Sequence, residues 1–207
     1  MSAPGRLITL EGGEGAGKST HCRFIADWLQ ARGRQVTVTR EPGGSPLAEA
    51  VRGIVLQDWA EGTTPETEVL LMFAARAAHW HATIAPALAL GVDVVCDRFV
   101  DSSYAYQGGG QGLDPRHLQA LEALVLGGAR PDLTLLLDLE PQLGLARARQ
   151  RGDANRFEAQ NLAYMTRVRE AFLARARAEP GRFAVIDAAQ PLDRVRQALV
   201  RVLEERL

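Results

Sequence analysis

Lysine is nearly absent from this chain. Of 24 basic residues among 207, one is lysine, Lys18, and the other 23 are arginine. A guanine-specific switch protein needs an Asn-Lys-x-Asp motif, and a single lysine already engaged elsewhere excludes it. Charge of one sign is also lacking. A formal net charge of -1 leaves no basic field to attract nucleic acid or an anionic membrane. Cysteine is scarce. Cys22 and Cys96 fall at the start of an expected helix and inside an apolar strand, so they read as reduced structural thiols of a cytoplasmic protein rather than a disulfide framework. No run approaches the roughly eighteen apolar residues of a membrane span. The opening Met1-Ser2-Ala3-Pro4-Gly5 is too short and polar for a signal peptide. Of the four histidines, His79 and His81 are two apart on an expected helix, point to different faces, and make a poor metal site.

What is present is concentrated around the lone lysine. The run Gly12-Gly13-Glu14-Gly15-Ala16-Gly17-Lys18-Ser19-Thr20 satisfies G-x-x-x-x-G-K-[ST], the pattern of a phosphate-binding P-loop. Its context fits, because Arg6 to Glu11 reads as a short apolar strand and the residues through Leu29 as a helix. A slim ammonium can enter a ring of backbone amides and meet the β- and γ-phosphates as a point charge, where a planar guanidinium cannot. The sequence therefore predicts binding of a nucleoside triphosphate.

Strands are expected at 7–10, 36–39, 92–97, 133–138 and 183–187. They are rich in Val, Leu and Ile with little polar alternation, as in strands buried on both faces of a parallel sheet. Helices are expected at 19–31, 47–57, 65–90, 117–126, 142–151, 161–178 and 192–205, with Thr64 and Pro65 as cap and first residue of the third. Gly108-Gly109-Gly110 with Gly112 is the densest loop signal outside the P-loop. The pattern is α/β: a three-layer P-loop NTPase fold with about five parallel strands, helices on both faces and a short Arg-rich lid, all in one domain spanning residues 1–207.

Ligands of such sheets bind beyond the carboxyl ends of the strands. There the second strand delivers Arg40-Glu41-Pro42-Gly43-Gly44 and the third Asp97-Arg98. A hydrolase needs no second anion site; an enzyme transferring phosphate to a phosphorylated acceptor does. Arg40 and Arg98 suit that acceptor phosphate because guanidinium and phosphate pair in a bidentate fork. Three strands end in aspartate, at Asp97, Asp138 and Asp187. Asp97 is favoured as the Mg²⁺ carboxylate, acting directly or through water, because Arg98 and Asp101-Ser102-Ser103 follow it. Asp138, before Leu139-Glu140-Pro141, reads as structural.

Two further stretches carry information. Phe73 and Arg76 are three apart on an apolar helix, placed either to stack on a base and bond its carbonyl edge, or to pack as core with a snorkelling arginine. Arg147, Arg149, Arg151 and Arg156 form a cluster around Gly152. It is a solvated helix face or a hinged lid, at about 147–157, that brings positive charge to a moving phosphoryl group.

Glu11-Gly12…Gly17-Lys18-Ser19, Thr39-Arg40-Glu41-Pro42-Gly43-Gly44, Leu71 to Arg76, Asp97-Arg98, Ala105 to Gly110 and Arg130-Pro131-Asp132 occur together in this order. The combination resembles the bacterial thymidylate kinases over essentially the whole chain. The resemblance implies transfer of the γ-phosphate of ATP to dTMP, Mg²⁺, and a homodimer. By it, Gly12, Gly13, Glu14, Gly15, Ala16, Gly17, Lys18, Ser19 and Thr20 correspond to the ATP loop, with Ser19 and Asp97 at the metal. Arg40, Glu41 and Arg98 correspond to the dTMP phosphate region, Phe73 to the ring on thymine, and Arg76 to the donor at a thymine carbonyl. Ser103 and Gln107 match contacts around the base, and Tyr106 and Glu14 lie near the sugar. Among the catalytic set Lys18, Arg98, Arg151, Glu14 and Asp97, the lid position is best matched by Arg151, with Arg147 or Arg149 as alternatives. The Glu41-Pro42 bond is cis by the same analogy. Gln111 and Asn155 depart from the family pattern, where arginine and an acidic residue are usual.

Rival readings are distinguishable. A deoxynucleoside kinase, or another nucleoside monophosphate kinase, shares the P-loop. The former would leave Arg40 without a task and would need a general base for a hydroxyl. A motor or assembly ATPase would need a partner-binding domain, for which no motif is present.

Overall fold

The computed structural model describes residues 4–149 and 161–207 fully, and the backbone of Gln150 and Arg151. Five parallel strands are described: β1 Leu7–Glu11, β2 Val36–Arg40, β3 Asp93–Asp97, β4 Leu133–Asp138 and β5 Phe183–Asp187. They form one sheet in the order β2-β3-β1-β4-β5. The chain leaves β1 toward one edge and β3 toward the other, so the reversal lies between β1 and β3, where an open α/β sheet places its ligand. Register brings Arg40 beside Asp97 and Asp97 beside Leu10, aligning the carboxyl ends of three strands. The central strands are buried throughout their middles, whereas Val38 and Val185 are exposed. The expectation of two buried faces thus holds for β1, β3 and β4. It fails at β2 and β5 because they are the sheet edges.

The helices are α1 Lys18–Gln30, α2 Pro46–Leu56, α3 Pro65–His79, α4 Ala85–Ala89, α5 Val100–Ser103, α6 Pro115–Leu126, α7 Pro141–Arg151, α8 Leu162–Ala178 and α9 Leu192–Arg206. Their starts carry the expected chemistry. Ser45, Thr64, Asp114 and Asn161 accept first-turn amides, and proline begins α2, α3 and α6. The single helix expected at 65–90 is divided by a π-helical turn at Trp80–Ile84. Pro86 lies two residues beyond its end and, having no amide hydrogen, cannot donate to the regular ladder.

The triple glycine, a loop signal in the sequence, lies instead in a second π-helical segment, Tyr104–Gly110, and the turn begins at Gln111. Side chains at Gly109 and Gly110 would collide with Ala171 and Tyr164 of α8. These glycines serve close helix packing.

Apolar side chains collect on both faces of the sheet. Ile8, Leu10, Val95, Leu135 and Leu137 pack with Ile25 of α1 and Leu199 of α9. Leu7, Val94 and Cys96 pack with Phe73 of α3 and Leu118 of α6. Phe172 and Val168 of α8 close a third cluster with Tyr106 and Leu136. Each such buried side chain contributes about 1.5–3 kcal/mol. The site is therefore built on a rigid base.

Candidate functional site

The P-loop leaves β1 at Gly12, where φ is 139° and a side chain would strike the carbonyl of Leu137. Gly15 and Gly144 of α7 approach so closely that neither admits a Cβ. Gly17 is left-handed and precedes α1. Lys18 is 8% exposed, with Nζ donating to the carbonyls of Gly12 (3.1 Å) and Gly13 (2.8 Å). Burial, then the like charge of Arg98, lowers the ammonium's pKa, while Glu14, Asp97 and Glu11 oppose the shift. Ser19 Oγ donates to Asp97 Oδ2 at 2.6 Å, and Thr20 is exposed on α1.

β3 delivers the opposite wall. Arg98 has φ of 68°, the only left-handed non-glycine conformation among the described residues. Such a backbone costs about 1–3 kcal/mol, and its surroundings must hold it. Here Arg98 N donates to Leu10 O, and the guanidinium donates to Gly12 O (3.0 Å), Glu14 Oε1 (2.8 Å) and Ser102 Oγ (3.3 Å). Tyr106 Oη donates to the same Glu14 oxygen at 3.0 Å, and its ring lies 4.9 Å from the guanidinium. Burial raises the Tyr106 pKa well above its ordinary value and keeps the hydroxyl protonated as a donor.

A residue to which the sequence reading gave no role underlies this bend. Glu11, 0% exposed, accepts from Phe99 N, Ser102 N and Ser102 Oγ. Burial, then the neighbouring Asp101, raises its pKa to about 7. An acidic side chain closing an otherwise apolar strand was the signal available for it.

A cavity of about 150 Å³ opens beside Arg98, lined also by Glu14, Glu41, Pro42, Arg52, Met72, Tyr106 and Gln107. Glu41 is 4% exposed and precedes Pro42 through a cis peptide bond. Its carboxylate accepts from Arg76 Nε at 2.7 Å and pairs with His79 Nδ1 at 3.1 Å. Arg76, 1% exposed, also donates to Ser103 Oγ (3.0 Å) and Phe99 O (3.1 Å), with Cζ 4.6 Å from the Phe73 ring centroid. Phe73 belongs to the apolar cluster beneath the sheet. Glu41 and Met72 line the cavity, while Phe73 and Arg76 support the residues that do.

Arg40 stands elsewhere. Its guanidinium pairs with Glu49 of α2 at 3.0 Å, and it shares a separate cleft with Ser19 and Asp97. Arg52 is the arginine that joins Arg98 at the cavity, its Nη1 donating to Pro42 O at 2.8 Å. Burial and the nearby charge of Arg40 lower its pKa. Sequence reasoning missed Arg52. It shares the α2 face with buried Ala48 and Val55, and a charged residue on a buried face was the available signal.

Asp138 pairs with Arg169 at 2.7 Å, a structural ion pair. Arg147 Nη1 donates to Ala188 O at 3.0 Å, and Arg149 is exposed. The Arg151 side chain and residues 152–160, including Asn155 and Arg156, lie outside the described residues.

A family model described as thymidylate kinase matches residues 10–199. The thymidylate kinase of Chromohalobacter salexigens is 54% identical over 206 residues, covering 99% of this chain and 97% of the relative. That of Pseudomonas fluorescens SBW25 is 54% identical over 199 residues, covering 96% and 95%. The crystal structure of thymidylate kinase from Ehrlichia chaffeensis superposes with a TM-score of 0.78 at 32% identity, covering 97% of this chain and 99% of that one. With a matching family model across most of its length, and relatives half identical end to end, this chain belongs to the thymidylate kinase family.

Proposed function

We propose that this protein transfers the γ-phosphate of ATP to dTMP, giving dTDP and ADP. The observation that carries the reading is the position of Arg98. It is held in a left-handed bend against Glu14 and the Gly12 carbonyl, between the P-loop and a separate cavity that also contains Arg52. A triphosphate on the P-loop and a monophosphate in that cavity would meet at Arg98.

The acceptor phosphate is already anionic, so its oxygen attacks in line without a strong general base. Positioning and charge neutralisation provide most of the acceleration. Lys18 neutralises the triphosphate and Arg98 spans donor and acceptor. Arg52 and Arg40 add charge on either side, and an arginine of the lid at 147–157, with Arg151 foremost, reaches the moving phosphoryl group. Phe73, Arg76, Ser103 and Gln107 build the base end of the acceptor site, with Tyr106 and Glu14 at the sugar.

Ser19 and Asp97 offer a hydroxyl and a carboxylate 2.6 Å apart, hard oxygen donors of the kind that hold Mg²⁺ together with substrate phosphates. When bound, the ion would neutralise charge on the β- and γ-phosphates. The chain acts as one kinase domain and as a homodimer. Exposed Leu70 of α3 and Leu124 of α6, on two helices packed together, are candidates for the covered surface. The cytoplasmic assignment is supported by Cys22 and Cys96 being buried free thiols. No helix among the described residues is long and apolar enough to cross a membrane.

Coupled ADP release with ATP, Mg²⁺ and each of dTMP, dUMP, dCMP, dGMP, dAMP and thymidine tests the reading. A clear preference for dTMP is expected. Turnover with thymidine but not dTMP would overturn it in favour of a deoxynucleoside kinase.

A further inference from the structure

Gln107 lines the cavity although it is only 1% exposed. Its Nε2 donates to Glu68 Oε1 at 2.7 Å, and Gln111 Nε2 donates to the same oxygen at 2.9 Å. Gln107 Oε1 has no hydrogen-bond partner among the described residues. Interiors carry few such orphaned atoms, and one on a residue that lines a cavity calls for a donor.

The two ends of a glutamine amide are nearly equal in size, so neighbours decide which way it faces. Glu68 is 1% exposed on α3, and its Oε1 accepts from both amide nitrogens, those of Gln107 and Gln111. It therefore holds the amine end of Gln107 against the helix and leaves the carbonyl end unpaired on a residue that lines the cavity. Gln111, the departure from the family pattern, also directs its amine to Glu68. That second contact holds the carboxylate in place beneath Gln107.

We propose that Glu68 is a positioning residue for base selection. By orienting Gln107 it presents a fixed hydrogen-bond acceptor to the acceptor base, favouring a pyrimidine whose ring N3 carries a proton over one whose N3 is bare. The inference rests on the phosphotransfer reading of this cavity. Thymine and uracil offer N3–H between two carbonyls; cytosine presents a lone pair there. A lone pair facing the fixed Gln107 oxygen leaves two acceptors unpaired in a dry site, a mismatch that enzymes reject strongly.

The test is the ratio of kcat/KM for dTMP to that for dCMP in the full-length protein. In Glu68→Gln, residue 68 can donate as well as accept, so the Gln107 amide can turn over. The ratio should fall about tenfold, the worth of one neutral hydrogen bond, with KM for ATP little changed. Gln107→Leu should lower the ratio as well. In that background Glu68→Gln should have no further effect, because no amide remains to be oriented. An unchanged ratio in either single variant overturns the proposal, as does a Glu68→Gln effect that persists in the Gln107→Leu background. A ratio that rises would mean that the acceptor faces an exocyclic amine, and would also overturn it. Wild-type protein that ignores dTMP would instead defeat the phosphotransfer reading. A wild-type dTMP preference that Glu68→Gln leaves intact would defeat only the role of Glu68.

Discussion

Arg98 Nη2 donates to Glu14 Oε1 at 2.8 Å, so the residue following β3 is tied to the middle of the P-loop. Tyr106 donates to the same oxygen. One carboxylate therefore joins the triphosphate loop, the arginine between the two ligands and the wall of the cavity. The pair is partly buried, each side chain 15% exposed, and removing one partner would leave the other charge poorly solvated.

Arg98→Lys keeps the charge but loses the planar fork that reaches Gly12, Glu14 and Ser102 together. The expected result is a fall of about 10–100-fold in kcat/KM for dTMP, the range of a lost charge-assisted hydrogen bond. Glu14→Gln keeps the shape, removes the charge and should cost less. Steady-state kinetics on both variants check the order. A lysine variant with native kcat/KM would show that the fork has no role.

Glu11 makes stability depend on pH. Its folded-state pKa is raised from 4.5 to about 7, so the folded protein binds this proton more tightly than the unfolded chain. The contribution is fully present below pH 4.5 and is lost as pH rises through 7. Asp101 works oppositely. Its pKa is lowered, despite the opposing cost of burial, by hydrogen bonds and ion pairs with Arg182 and Arg175, so its contribution is lost only as pH falls below the ordinary aspartate range. In denaturant titrations, the stability of wild type relative to Glu11→Gln should therefore decline between pH 4.5 and 7. A flat difference would place Glu11 outside this titration.

Gly144→Ala separates two opposed effects. Helix propensity alone predicts a gain of about 0.5–1 kcal/mol. But a Cβ at 144 would strike the Glu14 carbonyl, and backbone cannot swing aside as a side-chain tip can. Overpacking of this kind costs about 1–3 kcal/mol, so net destabilisation and a raised KM for ATP are expected. Thermal melting and ATP kinetics decide between them; a stabilised variant with native KM would mean that the P-loop yields freely.

The lid arginines divide by their contacts. Arg147 is anchored to Ala188 O, and Arg149 is exposed. Arg151→Ala should lower kcat far more than it raises KM, because a charge needed in the transition state contributes little to ground-state binding. If Arg149→Ala behaves this way and Arg151→Ala does not, the acting residue lies half a helical turn earlier.

Local chemistry was legible in the sequence. The five strands, the cap at Thr64 and the P-loop around Lys18 depend on runs of a few residues, and such runs carry their own steric and hydrogen-bonding preferences. Which strands became edges did not, because sheet order is set by how helices cover the two faces. The Gly108–Gly110 helix was hidden for the same reason: its glycines answer to Ala171 and Tyr164, some sixty residues away. Glu11, Glu68 and Arg52 are ordinary charged residues in sequence. Only packing shows Glu11 beneath the Arg98 bend, Glu68 behind Gln107 and Arg52 at the cavity. Arg40 and Arg98 both follow the carboxyl edge of the sheet as the sequence implies, yet the tertiary structure sends them to different clefts, because Glu49 of α2 holds one and Glu14 the other. Short-range preferences determined the elements and the phosphate loop; burial and charge pairing between distant segments decided which side chains share a site.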